Sequence, residues 1–229
     1  MVAGGEDGGM ISLNFHADVR KATATLSEAA AKQVPFATAK ALTTLAKLAQ
    51  ADIQQALPSI FGHLAPFTRQ GIAIKAATKA SLTAQVYVKP LQAQYLGLEE
   101  FGGTRTPAMN TRIVSRALTM PGVNARLNDA GSLPRGYVAK LAAMAEADAG
   151  PRKGQTVVKF SGSGPNGKGP GGFFLRLPGH HIRRLISFEA SAQYKPKFGF
   201  EKRVEAKVRA DFAGVFGAAM TQAVATANA

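Results

Sequence analysis

The run Gly162-Ser163-Gly164-Pro165-Asn166-Gly167-Lys168-Gly169 comes nearest to a chemical motif in this chain. Its glycine spacing is that of a dinucleotide fingerprint, and it almost satisfies a phosphate-binding loop. Such a loop needs Ser or Thr after the lysine to hold magnesium, and Gly169 stands there. Both motifs also need a following helix whose N-terminal N–H groups face the phosphate. The strand-like run Gly172-Phe173-Phe174-Leu175-Arg176-Leu177 follows instead. The cluster therefore reads as the tip of a hairpin, and nucleotide binding is not expected.

Other reactive side chains fare no better. His180-His181 next to Arg183-Arg184 suggests a metal site or an acid–base pair, but neighbouring residues on a strand point to opposite faces and do not share one ligand. They read as surface histidines, and His16 and His63 stand alone. Glu99-Glu100 is the one adjacent carboxylate pair of interest, beside Phe101 on a short helix, and reads as solvated or interface-facing. No Ser or Thr lies in a nucleophile-elbow context. Cysteine is absent, which excludes disulfides, thiolate zinc sites and a cysteine nucleophile. The chain offers no catalytic constellation, and no metal or cofactor is expected.

Charge is the stronger signal. The formal net charge is +14, and residues 151–209 hold 13 Lys and Arg against Glu189, Glu201 and Glu205, a net of +10. Such a segment meets nucleic acid, an anionic surface or an acidic protein, and charge alone does not choose among them. The candidate contact residues are Arg105, Arg112, Arg116 and Arg126, spread over a loose stretch, then Lys159, Lys168, Arg183 and Arg184. Lys195, Lys197, Lys202 and Arg203 complete the set; they interleave with Tyr194, Phe198 and Phe200. That last group has two readings. The aromatics form a stacking platform for nucleic acid, or they cover the entry of the terminal helix with the charges outward.

The elements that must position these residues follow from periodicity. Met1–Met10 is Gly-rich, acidic at Glu6 and Asp7, unlike a signal peptide, and reads as a flexible leader. Ile11–Phe15 alternates like a short strand. From Asp18 to Leu57 apolar residues recur at helical spacing, among them Val19, Leu26, Val34, Leu42, Leu45, Ala49, Ile53 and Leu57. Pro35 predicts a kink or restart, since proline lacks the N–H and crowds the preceding turn; Pro58 and Gly62 predict the end. Ile72–Lys75 and Leu82–Val88 read as a hairpin turning at Lys79-Ala80-Ser81. Pro90 opens a short helix that Gly102-Gly103 close. Thr104–Ala130, punctuated by Pro107, Pro121 and Gly122, reads as a long arm or loop. A helix is predicted over Gly136–Asp148, strands at Thr156–Phe160, Phe173–Leu177 and Ile182–Phe188, and a last helix over Glu201–Ala227. That helix carries Val204, Val208, Phe212, Val215, Phe216, Ala219, Met220 and Ala223 on one face. No run of about 18 apolar residues is present, so no membrane span and no membrane partner are expected.

In order, these pieces resemble the tail-completion proteins of tailed bacteriophages, the minor tail protein Z group and the related small head–tail connection proteins. The likeness rests on Ala37–Ile53, Pro66-Phe67-Thr68-Arg69-Gln70-Gly71, Tyr95–Gly103, Leu185-Ile186-Ser187-Phe188, Tyr194-Lys195-Pro196 and the closing helix. It covers about half of the chain. In the small relatives the Tyr and Glu-Phe-Gly element is soon followed by the last strand and helix. Here about 80 residues intervene. The resemblance implies an α+β protomer, a small antiparallel sheet packed against long N- and C-terminal helices, with an extended arm or inserted subdomain. The expected parts are a leader at 1–10, a helix–hairpin–helix part at 11–103, an insertion at 104–181, and the core's final strand and helix at 182–229. It further implies a virion protein of the tail or neck, made in the host cytoplasm, that assembles as a homo-oligomeric ring, six-fold in such families. Its partners would be other tail, neck or connector proteins, with double-stranded DNA in the channel. The competing reading is a free nucleic-acid-binding protein using residues 151–209.

Overall fold

A computed structural model describes residues 11–19, 28–62, 64–107 and 117–227. The leader at 1–10, Leu26, His63, Arg112 and Arg116 lie outside the described residues. In chain order the elements are β1 (Ser12–His16), α1 (Glu28–Phe61), α2 (Pro66–Arg69), β2 (Ile72–Lys75), β3 (Thr83–Val88), α3 (Pro90–Phe101), β4 (Gly103–Arg105), β5 (Leu118–Pro121), α4 (Tyr137–Glu146), β6 (Thr156–Ser163), β7 (Pro170–Arg176), β8 (Ile182–Glu189), β9 (Ala192–Tyr194) and α5 (Phe200–Ala227), with single 3-10 turns at Pro165–Gly167 and Pro178–His180. The protein is α+β. It divides into two compact units, one formed by 1–102 together with 195–229 and the other by 103–194.

In the first unit, antiparallel strands order as β1-β3-β2, with Leu13 opposite Val86 and Ile72 opposite Val88. The alternation expected of β3 is realised: Ala84, Val86 and Val88 are buried while Thr83 and its alternate neighbours are not. Helix α1 packs on this sheet and beside α5. Its residues Leu42, Leu45, Ala46, Ala49, Ile53 and Leu57 are each at most 2% exposed, as their spacing of three and four requires. Lys40 near the start of α1 donates to Gln222 near the end of α5 at 2.9 Å, and Phe61 at the other end of α1 meets Phe198 before α5 at 5.7 Å. The two helices therefore run antiparallel, with Ala37 and Ala223 among the buried small residues at their contact.

Two expectations about the helices are corrected. Residues 17–19 are not helical, and α1 runs without interruption through both Pro35 and Pro58 to Phe61. An interior proline costs about 3 kcal/mol in an isolated helix. Around Pro35, however, Val34, Ala37, Thr38 and Ala41 are all buried, and tertiary burial of a helix face outweighs local propensity. In α5, Val204 and Ala223 are buried as expected, but Phe212 is 41% exposed and stacks on Phe216 with ring centroids 5.2 Å apart.

The second unit is a four-stranded antiparallel sheet, β5-β8-β7-β6, covered on one face by α4. Leu141 of α4 joins Val157, Phe173, Leu175, Leu185 and Ile186 in its core. The register between β7 and β8 shifts between Phe173, opposite Ile186, and Phe174, opposite Arg184. The bulge leaves Leu185 as an extra residue, so that Leu185 and Ile186 both enter the core. Gly172 is needed there: a Cβ on it would meet the Ile186 carbonyl oxygen at 1.9 Å. Strands β4 and β9 pair separately, Gly103 opposite Tyr194, and so bring together the two points at which this unit begins and ends.

The expected boundaries of the insertion are thereby corrected. Ile182–Glu189 pairs with β5 and β7 and is not the final strand of the first unit's core. Nor is Thr104–Ala130 wholly an arm: it contributes β4 and β5, and past Pro121 the Gly122 N–H donates to the Leu185 carbonyl at 2.9 Å.

Candidate functional site

The glycine cluster closes the β6–β7 hairpin. Gly164 N–H donates to the Gly169 carbonyl at 2.9 Å, and Asn166 takes the left-handed conformation, φ 57°, that asparagine tolerates in turns. A Cβ on Gly164 would lie 2.6 Å from the Lys168 carbonyl oxygen and 3.6 Å from the edge of Phe174, so the turn is curled tightly over that ring. No helix follows the cluster, because β7 does. A phosphate-binding geometry is thus not built here.

The hairpin tip forms one wall of a shallow hollow of about 420 Å³ on the face of the sheet opposite α4. Phe174 is its floor, packed edge-to-face on Phe160 with centroids 5.3 Å apart. The Arg184 guanidinium sits over the Phe174 ring at 5.7 Å. Lys168 reaches in from the hairpin tip, and Val123, fully exposed, and Ile182, 43% exposed, complete the walls. The chemistry available is that of an anion receptor with apolar sides: among the described residues the lining has two cations and no carboxylate, and its ring is 3% exposed and so closed to stacking.

The structure separates the other candidate residues. By register Lys159 lies opposite Phe173 and Arg183 opposite Leu175, so both belong to the sheet face that carries the core, and both are exposed. Arg126 lines a different cleft, beside Tyr137. Arg105, opposite Ala192, is partly buried on β4. In the first unit Lys195, Lys202 and Arg203 are exposed around the start of α5. Lys197 is committed to structure: its ammonium is 3.3 Å from the Glu99 carboxylate and 5.0 Å from the centre of the Phe61 ring.

The aromatic platform around these lysines is not available to a nucleic acid. Phe198 is 1% exposed and Phe200 is fully buried, packed with Phe61 into the core of the first unit. Their burial decides between the two sequence readings in favour of a cover over the entry of the helix. Glu99 and Glu100, expected to be solvated or interface-facing, hold that entry in place. The Glu99 carbonyl accepts from the N–H groups of Lys197 and Phe198 at 2.8 and 2.9 Å, and the Glu100 carboxylate accepts from the Phe200 N–H. Carboxylates at a helix N-terminus satisfy donors that have no partner within the helix and meet the positive end of its dipole.

His16, His180 and His181 are exposed, and among the described residues no group of three or more His, Asp or Glu could hold a metal ion. No helix among them is long and apolar enough to cross a membrane. Sequence reasoning missed Arg135, Tyr137 and Lys140, which share the cleft of Arg126. The weak signal for them was basic residues on both sides of the left-handed Gly136 that precedes α4. No family model, curated protein or solved structure matches the chain.

Proposed function

We propose that this chain is a structural subunit of a tailed-bacteriophage particle, completing the tail or neck at the head–tail junction as a homo-oligomeric, six-fold ring around the DNA passage. The observation that carries the reading is the pairing of Gly103 with Tyr194. In the small relatives that the sequence resembles, the Tyr and Glu-Phe-Gly element runs almost directly into the last strand and helix. Here the end of Tyr95–Gly103 and the start of Tyr194-Lys195-Pro196 are neighbours across one ladder, which supports reading the second unit as an insertion into a scaffold of that order. Glu99 and Glu100 then join the short helix to the closing helix within the scaffold.

The function is one of binding and geometry. Exposed apolar side chains on the first unit, Phe67, Leu91 and Phe101 among them, are suited to contacts between copies. The second unit, with 13 Lys and Arg against four acidic residues, would face an acidic neighbour or the DNA. That basic unit is also the observation favouring the second reading, a free nucleic-acid-binding protein. The two differ in assembly state and salt response, because neutralised phosphates release counterions. Electron microscopy of the purified chain and of particles is expected to show a ring at the tail end or neck, and particles made without the chain are expected to have unjoined heads and tails. A monomer that binds random duplex DNA with sub-micromolar affinity near physiological salt would overturn the proposal.

A further inference from the structure

We infer that the second unit carries a receptor for an acidic polypeptide segment anchored by an aliphatic side chain, in a cleft apart from the Lys168–Arg184 hollow. The cleft measures about 480 Å³, within the range of roughly 300–1,000 Å³ in which proteins hold small ligands, and so has room for an apolar side chain with its neighbours. Its base is aliphatic: Leu141 and Met144 of α4 meet Leu175 and Leu185 of the sheet. Leu141, Leu175 and Leu185 belong to the core of the unit, so the base is rigid packing and not a loop. Arg126, Arg135 and Lys140 stand around it, and among the described residues no Asp or Glu is on the lining.

Those three cations are unengaged. Among the described residues none of them forms an ion pair, whereas Lys197, Lys207 and Arg209 each hold a carboxylate. Tyr137 fixes one side of the cleft: its hydroxyl accepts from the Arg126 N–H at 3.5 Å, which ties the strand-exit segment to the first turn of α4. Three like charges kept together around an apolar base repel one another and gain from an anion that brings its own apolar group. A duplex presents phosphates but nothing to fill an aliphatic base. A single-stranded base asks for aromatic faces to stack on; Tyr137 stands at one side of the cleft, but the base is Leu and Met. An acidic peptide with a leucine-like side chain satisfies both halves, the side chain on the base and carboxylates on Arg126, Arg135 and Lys140. This assignment stands on the second unit alone and holds whether or not the protein acts in a particle.

Methionine-methyl NMR on the full chain provides a direct test, because Met144 lines the cleft and Met220 lies far along the chain in α5. Titration with the synthetic peptide Glu-Glu-Leu-Glu-Glu is expected to shift the Met144 methyl and leave Met220 unmoved. Replacing the leucine by serine, or the glutamates by lysines, is expected to weaken binding at least tenfold. The double variant Arg135→Glu/Lys140→Glu changes two exposed side chains and is expected to lose the shift while its unfolding transition stays in place. An unmoved Met144, equal binding of the serine peptide, undiminished binding by the charge-reversed variant, or displacement of the peptide by a stoichiometric random DNA duplex would each overturn the inference.

Discussion

The carboxylate of Glu100 accepts a hydrogen bond from the backbone N–H of Phe200 at 2.8 Å and one from Glu201 at 3.4 Å, across 100 residues of intervening chain. It acts as the N-terminal cap of α5 but is supplied by α3. Glu100→Ala should therefore destabilise the first unit by about 0.5–2 kcal/mol, the usual range for a lost cap. Denaturant titration measures the total, and hydrogen exchange should place the loss in the first turn of α5. Exchange unchanged at Phe200 and Glu201 would show that the carboxylate is not the cap.

Thr38 is fully buried in α1, and its hydroxyl has no hydrogen-bond partner among the described residues. An unpaired buried hydroxyl carries a desolvation penalty of about 1–3 kcal/mol, which an apolar group of the same shape does not. Thr38→Val is expected to raise stability by roughly 1 kcal/mol. A clear loss in the same denaturation experiment would mean that the hydroxyl is satisfied after all.

Burial raises the Tyr95 phenol above its ordinary value of 10.0, against the opposing effect of its 3.0 Å hydrogen bond with Thr68. The folded state favours the neutral phenol, so this contribution is fully present below the unfolded value of about 10 and is lost as pH rises through the higher folded value. With four Tyr and no Trp, phenolate absorbance can be followed cleanly. A phenol that titrates above 10.0 should disappear in Tyr95→Phe, and the variant should lose less stability on going to alkaline pH. Loss of a phenol that titrates at or below 10.0 instead would contradict the assignment.

The pairing of Gly103 with Tyr194 makes the second unit removable. Opposed residues of an antiparallel pair have Cα atoms about 4.5–5.5 Å apart, a gap that a short Gly-Ser linker spans. Replacing residues 104–193 by such a linker should leave a protein that unfolds cooperatively, with the α1 amides around Leu45 and Ala49 still protected from exchange. Residues 103–194 expressed alone should also fold, since they hold their own core of Leu141, Val157, Phe173 and Ile186. A non-cooperative transition in the linked protein would show that the first unit depends on the second.

Local chemistry was legible in the sequence because neighbours along the chain decide it. The alternation of Thr83–Val88, the stop after Phe101 and the strand following the glycine cluster each depend on a few adjacent residues, and each stands where periodicity placed it. The strand argument did not carry over to His180-His181: His180 ends the Pro178–His180 turn and His181 precedes β8, so a turn and not a strand sets their directions. What local rules could not weigh was burial by distant segments. Pro35 continues a helix because the residues around it are buried, and Ile182–Glu189 joins the inserted unit because β5 and β7 flank it. Glu100 became a cap, Phe198 and Phe200 became core, and Arg126 and Lys140 came to stand over Leu175 and Leu185 only when elements apart in sequence met. Hydrogen bonds and apolar burial act between neighbours in space, and a linear pattern records only neighbours in the chain.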